Sequence, residues 1–317
     1  MRAKPSAPRY AFVCGLHRSG TTLIARALAE HPMVSGFANT GAIEDEGQFL
    51  QSVLPLEIAF GGVGRFGFDP RAHMTEASPL NTQASASRLL SEWGRYWDRG
   101  KPVLMEKTPS NLLRMRLMQA LVRPSSFIVV TRHPVAASLA TMKWTEGNLF
   151  SLLSHWVHCY RIAREDAKAV ERILWISYEG LVGDPARQLA RIAAFLELSP
   201  FVDSTLRVKD ENEKYFQLWQ TQYLGDWDRS IAQRPPERPR SFLTRLRERS
   251  TREARERALP AHRRPRNLRN FYDALDAVAL LEPAIAEFGY SFADLARAPA
   301  EADSAQTRRA PASLSDV

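Results

Sequence analysis

A glycine loop between an apolar run and a helical segment is the feature that most constrains the fold. The stretch YAFVCGLHRSGTTLIARALAEHP, residues 10–32, predicts a buried strand, a turn that begins at Gly15 and a helix that starts near Thr21. The spacing from Gly15 to Gly20 is that of a phosphate-binding loop, and Thr22 takes the place of its magnesium-binding hydroxyl. Thr21, however, stands where such loops carry a lysine. The order of strand, loop and helix predicts an anion site at a helix N-terminus.

Apolar runs alternate with helical segments along the chain, and this order predicts a parallel sheet. Four runs indicate strands, at Tyr10–Cys14, Pro102–Lys107, Ser126–Arg132 and Arg172–Glu179. Helical patterns follow these runs, at Thr21–Glu30, Ser110–Leu121, Pro134–Met142, Leu149–Val170 and Asp184–Leu198. Continuously apolar strands separated by helices are typical of a sheet that is covered on both faces. We therefore expect a three-layer α/β fold, a parallel sheet flanked by helices, like that of the P-loop-containing nucleotide hydrolases.

The charges around the loop do not match a metal-dependent nucleotide site. In an ATP site a lysine neutralises the phosphates, and an acid that ends a second strand helps to hold magnesium. The later predicted strands end in Lys107, Arg132 and Glu179, and only Glu179 is acidic, after a tyrosine rather than a plain apolar run. The sequence therefore gives no clear magnesium ligand.

The loop can still hold an anion through its backbone and its hydroxyl groups. The N–H groups of Arg18–Thr22 lie at the predicted helix N-terminus, where backbone donors point outward. Ser19, Thr21 and Thr22 add hydroxyl donors, and Arg18 adds a fixed positive charge. We expect a phosphate ligand that needs no metal.

Composition favours a globular protein with one large domain. The chain has 317 residues, of which 44% are hydrophobic and 25% are charged, so it can fill a sizeable core. Two cysteines, Cys14 and Cys159, are too few for a disulfide framework or a metal cluster, and we interpret them as buried thiols in a reducing compartment. No apolar run reaches the ~20 residues of a membrane span. We expect a cytoplasmic protein.

The two ends and one late segment differ from the rest of the chain. Residues 1–9 form a short polar tail, and residues 296–317 are rich in alanine, proline, serine and charge, which predicts disorder. Much of the net charge of +8 lies in a basic excursion, residues 234–269, which alternates arginine and glutamate after three prolines. The expected organisation is one domain over residues 10–295, interrupted by this excursion.

Several motifs resemble those of sulfotransferases that use 3′-phosphoadenosine 5′-phosphosulfate (PAPS). GLHRSGTT, residues 15–22, is similar to their 5′-phosphosulfate loop, and VVTRHPVAAS, residues 129–138, is similar to their 3′-phosphate motif. Further similarity to the tyrosylprotein and carbohydrate branches lies in EKTPSN (106–111), ISYEGLVGDPARQL (176–189) and LEPAIAEFGYSF (281–292). The resemblance covers most of residues 10–295. It implies a PAPS-dependent sulfotransferase that needs no metal.

The resemblance also implies the residues that bind the donor. Arg18, Ser19, Gly20, Thr21 and Thr22 would hold the 5′-phosphosulfate, while Arg132 and Ser138 would hold the 3′-phosphate. A charge at a strand end and a hydroxyl in the next helix can converge on one phosphate. Tyr178 would lie near the nucleotide. Taken singly, a strand-end arginine such as Arg132 is more often part of a surface ion pair, Ser138 would be a filler residue of a helix, and Tyr178 would be a core residue.

Sulfonate transfer needs a base for the acceptor hydroxyl and a cation for the charge that develops on the bridging oxygen. By the resemblance Lys107 is the cation and Glu46 is the base. Glu44 remains possible as the base, since extra residues precede this segment, and His17 is a weaker candidate. Asp45 and Gln48 fit a capping box, which gives Asp45 a structural role.

Two other functions remain open from the sequence. One is a P-loop kinase or NTPase with an atypical loop, and the other is a basic nucleic-acid-binding protein that uses residues 234–269. That stretch contains Phe242 as its only aromatic residue, which gives little support for stacking on bases. The acceptor could be a carbohydrate, a tyrosine or a small alcohol, and the oligomeric state cannot be inferred.

Overall fold

The computed structural model describes residues 7–201, 208–224, 268–300 and 306–307. Nearly all of the predicted basic excursion and most of both predicted tails lie outside these residues. The chain forms two compact units. Among the described residues, the first unit comprises 7–132, 158–201, 208–209 and 306–307, and the second comprises 133–157, 210–224 and 268–300.

The first unit contains a six-stranded sheet whose first five strands are parallel. The strands are β1 (Arg9–Gly15), β2 (Val34–Ser35), β3 (Val103–Lys107), β4 (Ser125–Thr131), β5 (Arg172–Ser177) and β6 (Gln306–Thr307). They lie in the order β2-β3-β1-β4-β5-β6, and β6 pairs antiparallel with β5 at the edge. This arrangement confirms the predicted α/β class with a parallel sheet flanked by helices.

Helices of the first unit cover both faces of the sheet. They are α1 (Thr21–Ala29), α2 (Gln83–Trp93), α3 (Met115–Leu121), α6 (Tyr178–Gly183) and α7 (Pro185–Phe195). On one face Ala11 and Val13 belong to a buried cluster with Ile24 of α1 and Ile192 of α7. On the other face Phe12 stacks on Phe127 at 5.3 Å between ring centres and contacts Trp93 of α2 at 6.2 Å. Because apolar layers cover both faces of the sheet, the sequences of these strands are nearly continuous apolar runs.

The second unit is helical. It contains α4 (Pro134–Thr141), the first half of α5 (Leu149–Asp166), α8 (Glu213–Leu218), a π-helical turn (Trp219–Leu224) and α9 (Leu268–Ala286). Its core is aromatic: the Trp156 ring packs edge-on against Phe288 and Tyr290, with ring centres 5.2 and 5.8 Å apart. The His133 ring contacts Tyr290 at 5.3 Å, and its Nε2 lies 3.1 Å from the Ser291 carbonyl oxygen.

The local predictions were correct for most elements and wrong at several places. The helix predicted over Ser110–Leu121 begins as a 3₁₀ helix, Pro109–Leu113, and only Met115–Leu121 is α-helical. Asp184 caps α7 through a 2.9 Å hydrogen bond from the Arg187 N–H, and Pro185 takes the first helical position as expected. The fourth strand is shorter than predicted, because Ser177 caps a new helix by accepting from the Gly180 N–H. Residues 43–72 contain short 3₁₀ helices in place of the helix that the capping box at Asp45 and Gln48 predicted.

None of the helices in the described part of the chain is both long enough and apolar enough to cross a membrane.

Candidate functional site

The loop after β1 lies between the carboxyl ends of β3 and β4. Val13 pairs with Lys107 of β3, and Gly15 pairs with Val130 of β4. The carboxyl ends of neighbouring parallel strands meet at the same edge of a sheet, where open α/β sheets bind ligands. Lys107 and the residue that follows β4, Arg132, therefore flank the loop from its two sides.

Two glycines allow the loop to run close to its neighbours. A Cβ atom on Gly15 would lie 2.4 Å from the Val130 carbonyl oxygen, and Gly15 has a φ of 151°. Gly20 has a φ of 104°, in the left-handed region that favours glycine, and a Cβ there would lie 3.1 Å from the Tyr178 ring. Thr21 and Thr22 then open α1, where the first N–H groups of a helix have no acceptor within the helix.

A buried tyrosine, Tyr160, forms hydrogen bonds with the loop and with β4. The Tyr160 hydroxyl donates to the Val130 carbonyl oxygen at 2.6 Å and accepts from the Leu16 N–H at 3.2 Å. The fully buried Ser19 hydroxyl lies 3.2 Å from the same oxygen. Burial raises the pKa of Tyr160 well above its usual value, so its proton stays in place to donate. In the structure Ser19 thus contacts the tyrosine that anchors the loop.

Arg132 connects the loop to Tyr178. Its Nη1 donates to the Arg18 carbonyl oxygen at 2.8 Å, and its guanidinium lies over the Tyr178 ring, 4.2 Å from the ring centre. The Tyr178 hydroxyl donates to the Lys209 carbonyl oxygen at 2.9 Å. Arg18 itself is exposed and has a φ of 65°. Three of the predicted donor-binding residues, Arg18, Arg132 and Tyr178, are therefore in contact.

Glu46 and Lys107 form a buried ion pair on the β3 side of β1, the strand that precedes the loop. Lys107 Nζ lies 3.0 Å from Glu46 Oε1, and the two side chains are only 5% and 8% exposed. The second oxygen, Glu46 Oε2, accepts from Gln48 Nε2 at 2.7 Å. The predicted base and the predicted cation, 61 residues apart in sequence, are thus brought together.

A second acid lies next to this pair. Glu106 is 1% exposed and accepts from the Gly47 N–H at 3.0 Å, from Thr108 Oγ1 at 2.5 Å and from Asn111 Nδ2 at 2.7 Å. Burial raises the pKa of Glu106 to about 7. The Thr108 hydroxyl opposes this rise, the Glu46 carboxylate adds to it, and Lys107 opposes it.

Glu44 and Asp45 point to other partners. The Glu44 carboxylate is about half exposed and lies 3.7 Å from the guanidinium of Arg26 on α1. The capping box predicted for Asp45 and Gln48 is wrong, because Gln48 bonds to Glu46 and Asp45 accepts from the backbone and hydroxyl of Thr40. The Thr40 hydroxyl is the main cause that lowers the pKa of Asp45. Asp45 is structural, as expected, but as the anchor of a turn.

His17, within the loop, pairs with an acid from a later segment of the chain. Its Nε2 lies 3.1 Å from Glu57 Oε1, with both side chains about nine-tenths buried, and its ring meets Phe66 edge-on at 6.2 Å between centres. Ser138 lies on α4 in the second unit, where it is buried. Its role in binding the 3′-phosphate stays a prediction.

Sequence reasoning missed the residues that support the predicted ones. Glu106, Tyr160 and Glu57 were not singled out, and Gln48 was assigned to a helix cap. One signal was available: Glu106 is an acid within an otherwise apolar strand, and buried acids are rare unless they are paired. Tyr160 and Glu57 lie in ordinary helical contexts, which give no comparable signal.

The model of the Sulfotransferase family matches residues 10–203, more than half of the chain. No curated protein matches significantly.

Bacterial sulfotransferases are among the solved structures that match this chain. The sulfotransferase domain of the olefin synthase from Synechococcus PCC 7002 is 20% identical, with a TM-score of 0.43 over 66% of this chain and 81% of that one. The sulfotransferase from Alicyclobacillus acidocaldarius is 17% identical, with a TM-score of 0.41 over 68% and 92%. Sulfotransferase STF1 from Mycobacterium tuberculosis H37Rv is also 17% identical, with a TM-score of 0.41 over 68% and 72%.

Proposed function

Because this chain belongs to the sulfotransferase family, we propose that it transfers the sulfonate group of PAPS to an acceptor hydroxyl, with Glu46 as the base. The observation that carries the proposal is the buried contact between Glu46 and Lys107 at the carboxyl end of β3. A base and a cation beside an anion-binding loop are the two charges that this reaction needs.

The loop residues fit the phosphosulfate end of the donor. Gly20 brings the backbone into a left-handed turn, and Thr21 and Thr22 begin α1 with outward N–H groups. The exposed Arg18 side chain adds a positive charge at the same place. Ser19 would contribute through its backbone, since its hydroxyl contacts Tyr160.

Arg132, Ser138 and Tyr178 would hold the adenosine 3′-phosphate end. A planar guanidinium binds a phosphate through two parallel hydrogen bonds, which gives direction as well as charge. The Tyr178 ring under Arg132 keeps that plane in place. The contact between Arg132 and Tyr178 supports this assignment, while Ser138 is assigned by the family resemblance alone.

In the transfer step Glu46 accepts the proton of the acceptor hydroxyl. The acceptor oxygen forms a new bond to sulfur, and the bond between sulfur and the bridging phosphate oxygen breaks. The electron pair of that bond stays on adenosine 3′,5′-bisphosphate, and Lys107 stabilises the negative charge there. Lys107 also pairs with Glu46 before the reaction, so the ammonium offsets the charge of the carboxylate in its buried position.

The acceptor is a carbohydrate, a tyrosine or a small alcohol, and the protein acts without a metal. The alternative function that can be tested directly is that of a P-loop kinase or NTPase, which would bind ATP together with magnesium. Thermal shift measurements distinguish the two. Adenosine 3′,5′-bisphosphate without metal should raise the melting temperature, and ATP with magnesium should raise it much less. Equal stabilisation by the two ligands would contradict the proposal.

A further inference from the structure

Glu106 is buried one residue before Lys107 and does not contact an acceptor or a donor in the mechanism above. Its carboxylate accepts three hydrogen bonds, from the Gly47 N–H, Thr108 Oγ1 and Asn111 Nδ2. A buried acid with a raised pKa destabilises the fold at neutral pH, so its presence beside a reacting pair calls for a functional reason.

Gly47, the residue after the base, is held between Glu106 and Trp93. Its N–H donates to Glu106 Oε1 at 3.0 Å, and its carbonyl oxygen accepts from Trp93 Nε1 at 2.9 Å. A Cβ atom on Gly47 would lie 2.3 Å from Glu106 Oε1 and 2.5 Å from Glu106 Cγ. A side chain at position 47 would therefore clash with Glu106, so the contact between them requires glycine after Glu46.

Gln48 extends this contact to the carboxylate of the base. Its N–H donates to Thr108 Oγ1 at 3.1 Å, and Thr108 in turn donates to Glu106. Its side-chain Nε2 donates to Glu46 Oε2, while its Oε1 accepts from the Glu57 N–H at 3.3 Å. Glu46 is thus left with one oxygen directed at Lys107 Nζ.

The arrangement of donors favours the ionised form of Glu106. The Gly47 N–H can only donate, and the Thr108 oxygen already accepts from Gln48, so its own proton is directed at Glu106. A proton on Glu106 would reduce charge-assisted hydrogen bonds to ordinary ones, which are about half as strong. Four groups influence its charge from the surrounding elements: Glu46, Lys107, Arg114 and the Cys14 thiol.

We propose that Glu106 is a positioning residue for Glu46: while ionised, it fixes the Gly47 peptide and so holds the base against Lys107. The proposal rests on the proposed function, because it assigns Glu46 the role of base. Protonation of Glu106 loosens the segment and lowers the rate of transfer without affecting the donor loop.

The first test is the pH dependence of kcat in the Glu106→Gln variant, measured as transfer of labelled sulfonate from PAPS into a cell extract. Glutamine keeps the size of the side chain and imitates the protonated acid. The wild-type kcat should fall about tenfold as pH drops from 8 to 6, through the Glu106 pKa of about 7. The variant should show the low rate at every pH, with an unchanged KM for PAPS.

Thermal stability distinguishes this proposal from a purely structural role of Glu106, because the two predict opposite changes in the melting temperature of the Glu106→Gln variant. The folded-state pKa of Glu106 lies above its usual value of 4.5, so the stability it contributes is lost as pH rises from about 4.5 to about 7. At pH 8 the Glu106→Gln variant should therefore melt at a higher temperature than the wild type, while it turns over more slowly. A variant that is less stable with an unchanged kcat would overturn the proposal.

Two further variants make the result specific. Thr108→Val removes the hydroxyl that lowers the pKa of Glu106, so the rising part of the pH profile should move to higher pH. Glu92→Gln is the matched control. Glu92 also accepts from a backbone N–H, that of Ser52 at 2.7 Å, but not from the residue that follows the base. This variant should leave the pH profile unchanged.

The outcomes separate this proposal from the proposed function. If the wild type transfers sulfonate and Glu106→Gln keeps the wild-type pH profile, Glu106 has no positioning role and the proposed function stands. If the wild type transfers no sulfonate and does not bind adenosine 3′,5′-bisphosphate, the proposed function fails and the role of Glu106 fails with it.

Discussion

The carboxyl ends of β3 and β4 lie on either side of β1, yet the cations at these two ends, Lys107 and Arg132, have different partners. At the end of β3, Lys107 is matched by the Glu46 carboxylate, and both are buried. After β4, Arg132 lies over the Tyr178 ring and donates to the Arg18 carbonyl oxygen. The first arrangement suits proton transfer, because its acid can accept a proton while the cation remains. The second suits a fixed anion, because a ring and a carbonyl set the plane of the guanidinium.

The largest expected effect lies at the β3 end. Glu46→Gln keeps the shape of the base and removes its charge, so turnover should fall by roughly 10²- to 10⁴-fold. Binding of adenosine 3′,5′-bisphosphate should stay nearly unchanged, because a general base acts only on the acceptor proton. Calorimetry and rates of labelled sulfonate transfer measure the two effects.

Glu44→Gln is the control for this prediction. Glu44 is half exposed and faces Arg26, so its variant should keep wild-type turnover. If Glu44→Gln were inactive and Glu46→Gln active, the base would be Glu44. If both variants were active, His17 would be the next residue to test.

Lys107→Ala should affect the β3 end and the donor together. It leaves the buried Glu46 carboxylate without its cation, which should destabilise the fold by about 3–5 kcal/mol. Turnover should fall and donor binding should weaken, since Lys107 would lie beside the phosphosulfate. Melting curves and calorimetry at the same pH provide the measurement. Turnover lost with full donor affinity would place Lys107 away from the donor.

Arg132→Ala should affect only the β4 end. Hydrogen bonds to a charged group contribute about 1.5–3 kcal/mol, so affinity for adenosine 3′,5′-bisphosphate should fall by roughly 10- to 150-fold. Affinity for adenosine 5′-phosphate should change much less, because that ligand has no 3′-phosphate. Equal losses for the two ligands would show that Arg132 is structural.

Ser138→Ala should give the smallest effect. One hydroxyl contributes about 0.5–1.5 kcal/mol, so affinity for the bisphosphate should fall by roughly 2- to 13-fold. The same pair of ligands tests it by calorimetry, with adenosine 5′-phosphate as the control. An unchanged affinity for the bisphosphate would remove Ser138 from the 3′-phosphate site.

The sequence predicted what depends on local pattern. Apolar runs between helices predicted the parallel sheet, and Asp184 with Pro185 predicted the start of α7. The spacing of Gly15 and Gly20 predicted a turn between the first strand and the first helix, and β1 ends at Gly15 while α1 begins directly after Gly20.

What the sequence could not predict depends on contacts between distant segments. Gln48 fits a cap by its spacing from Asp45, but Glu46 and Thr108 are better partners once residues 43–60 fold into short 3₁₀ turns. The pairing of Glu106 with Gly47 joins positions 59 residues apart, so no local pattern encodes it. The residues proposed to bear the chemistry were identified by resemblance, whereas the residues that contact and position them were identified only from the structure.

Mass spectrometry of a cell extract incubated with the protein and labelled PAPS tests the central claim most directly. The account predicts that, without added metal, the wild type yields a product heavier than its precursor by one SO₃ group and carrying the label, together with adenosine 3′,5′-bisphosphate. Glu46→Gln should yield far less of both. If no labelled acceptor forms with the wild type, or if Glu46→Gln forms it at the wild-type rate, sulfonate transfer by a Glu46 base is contradicted.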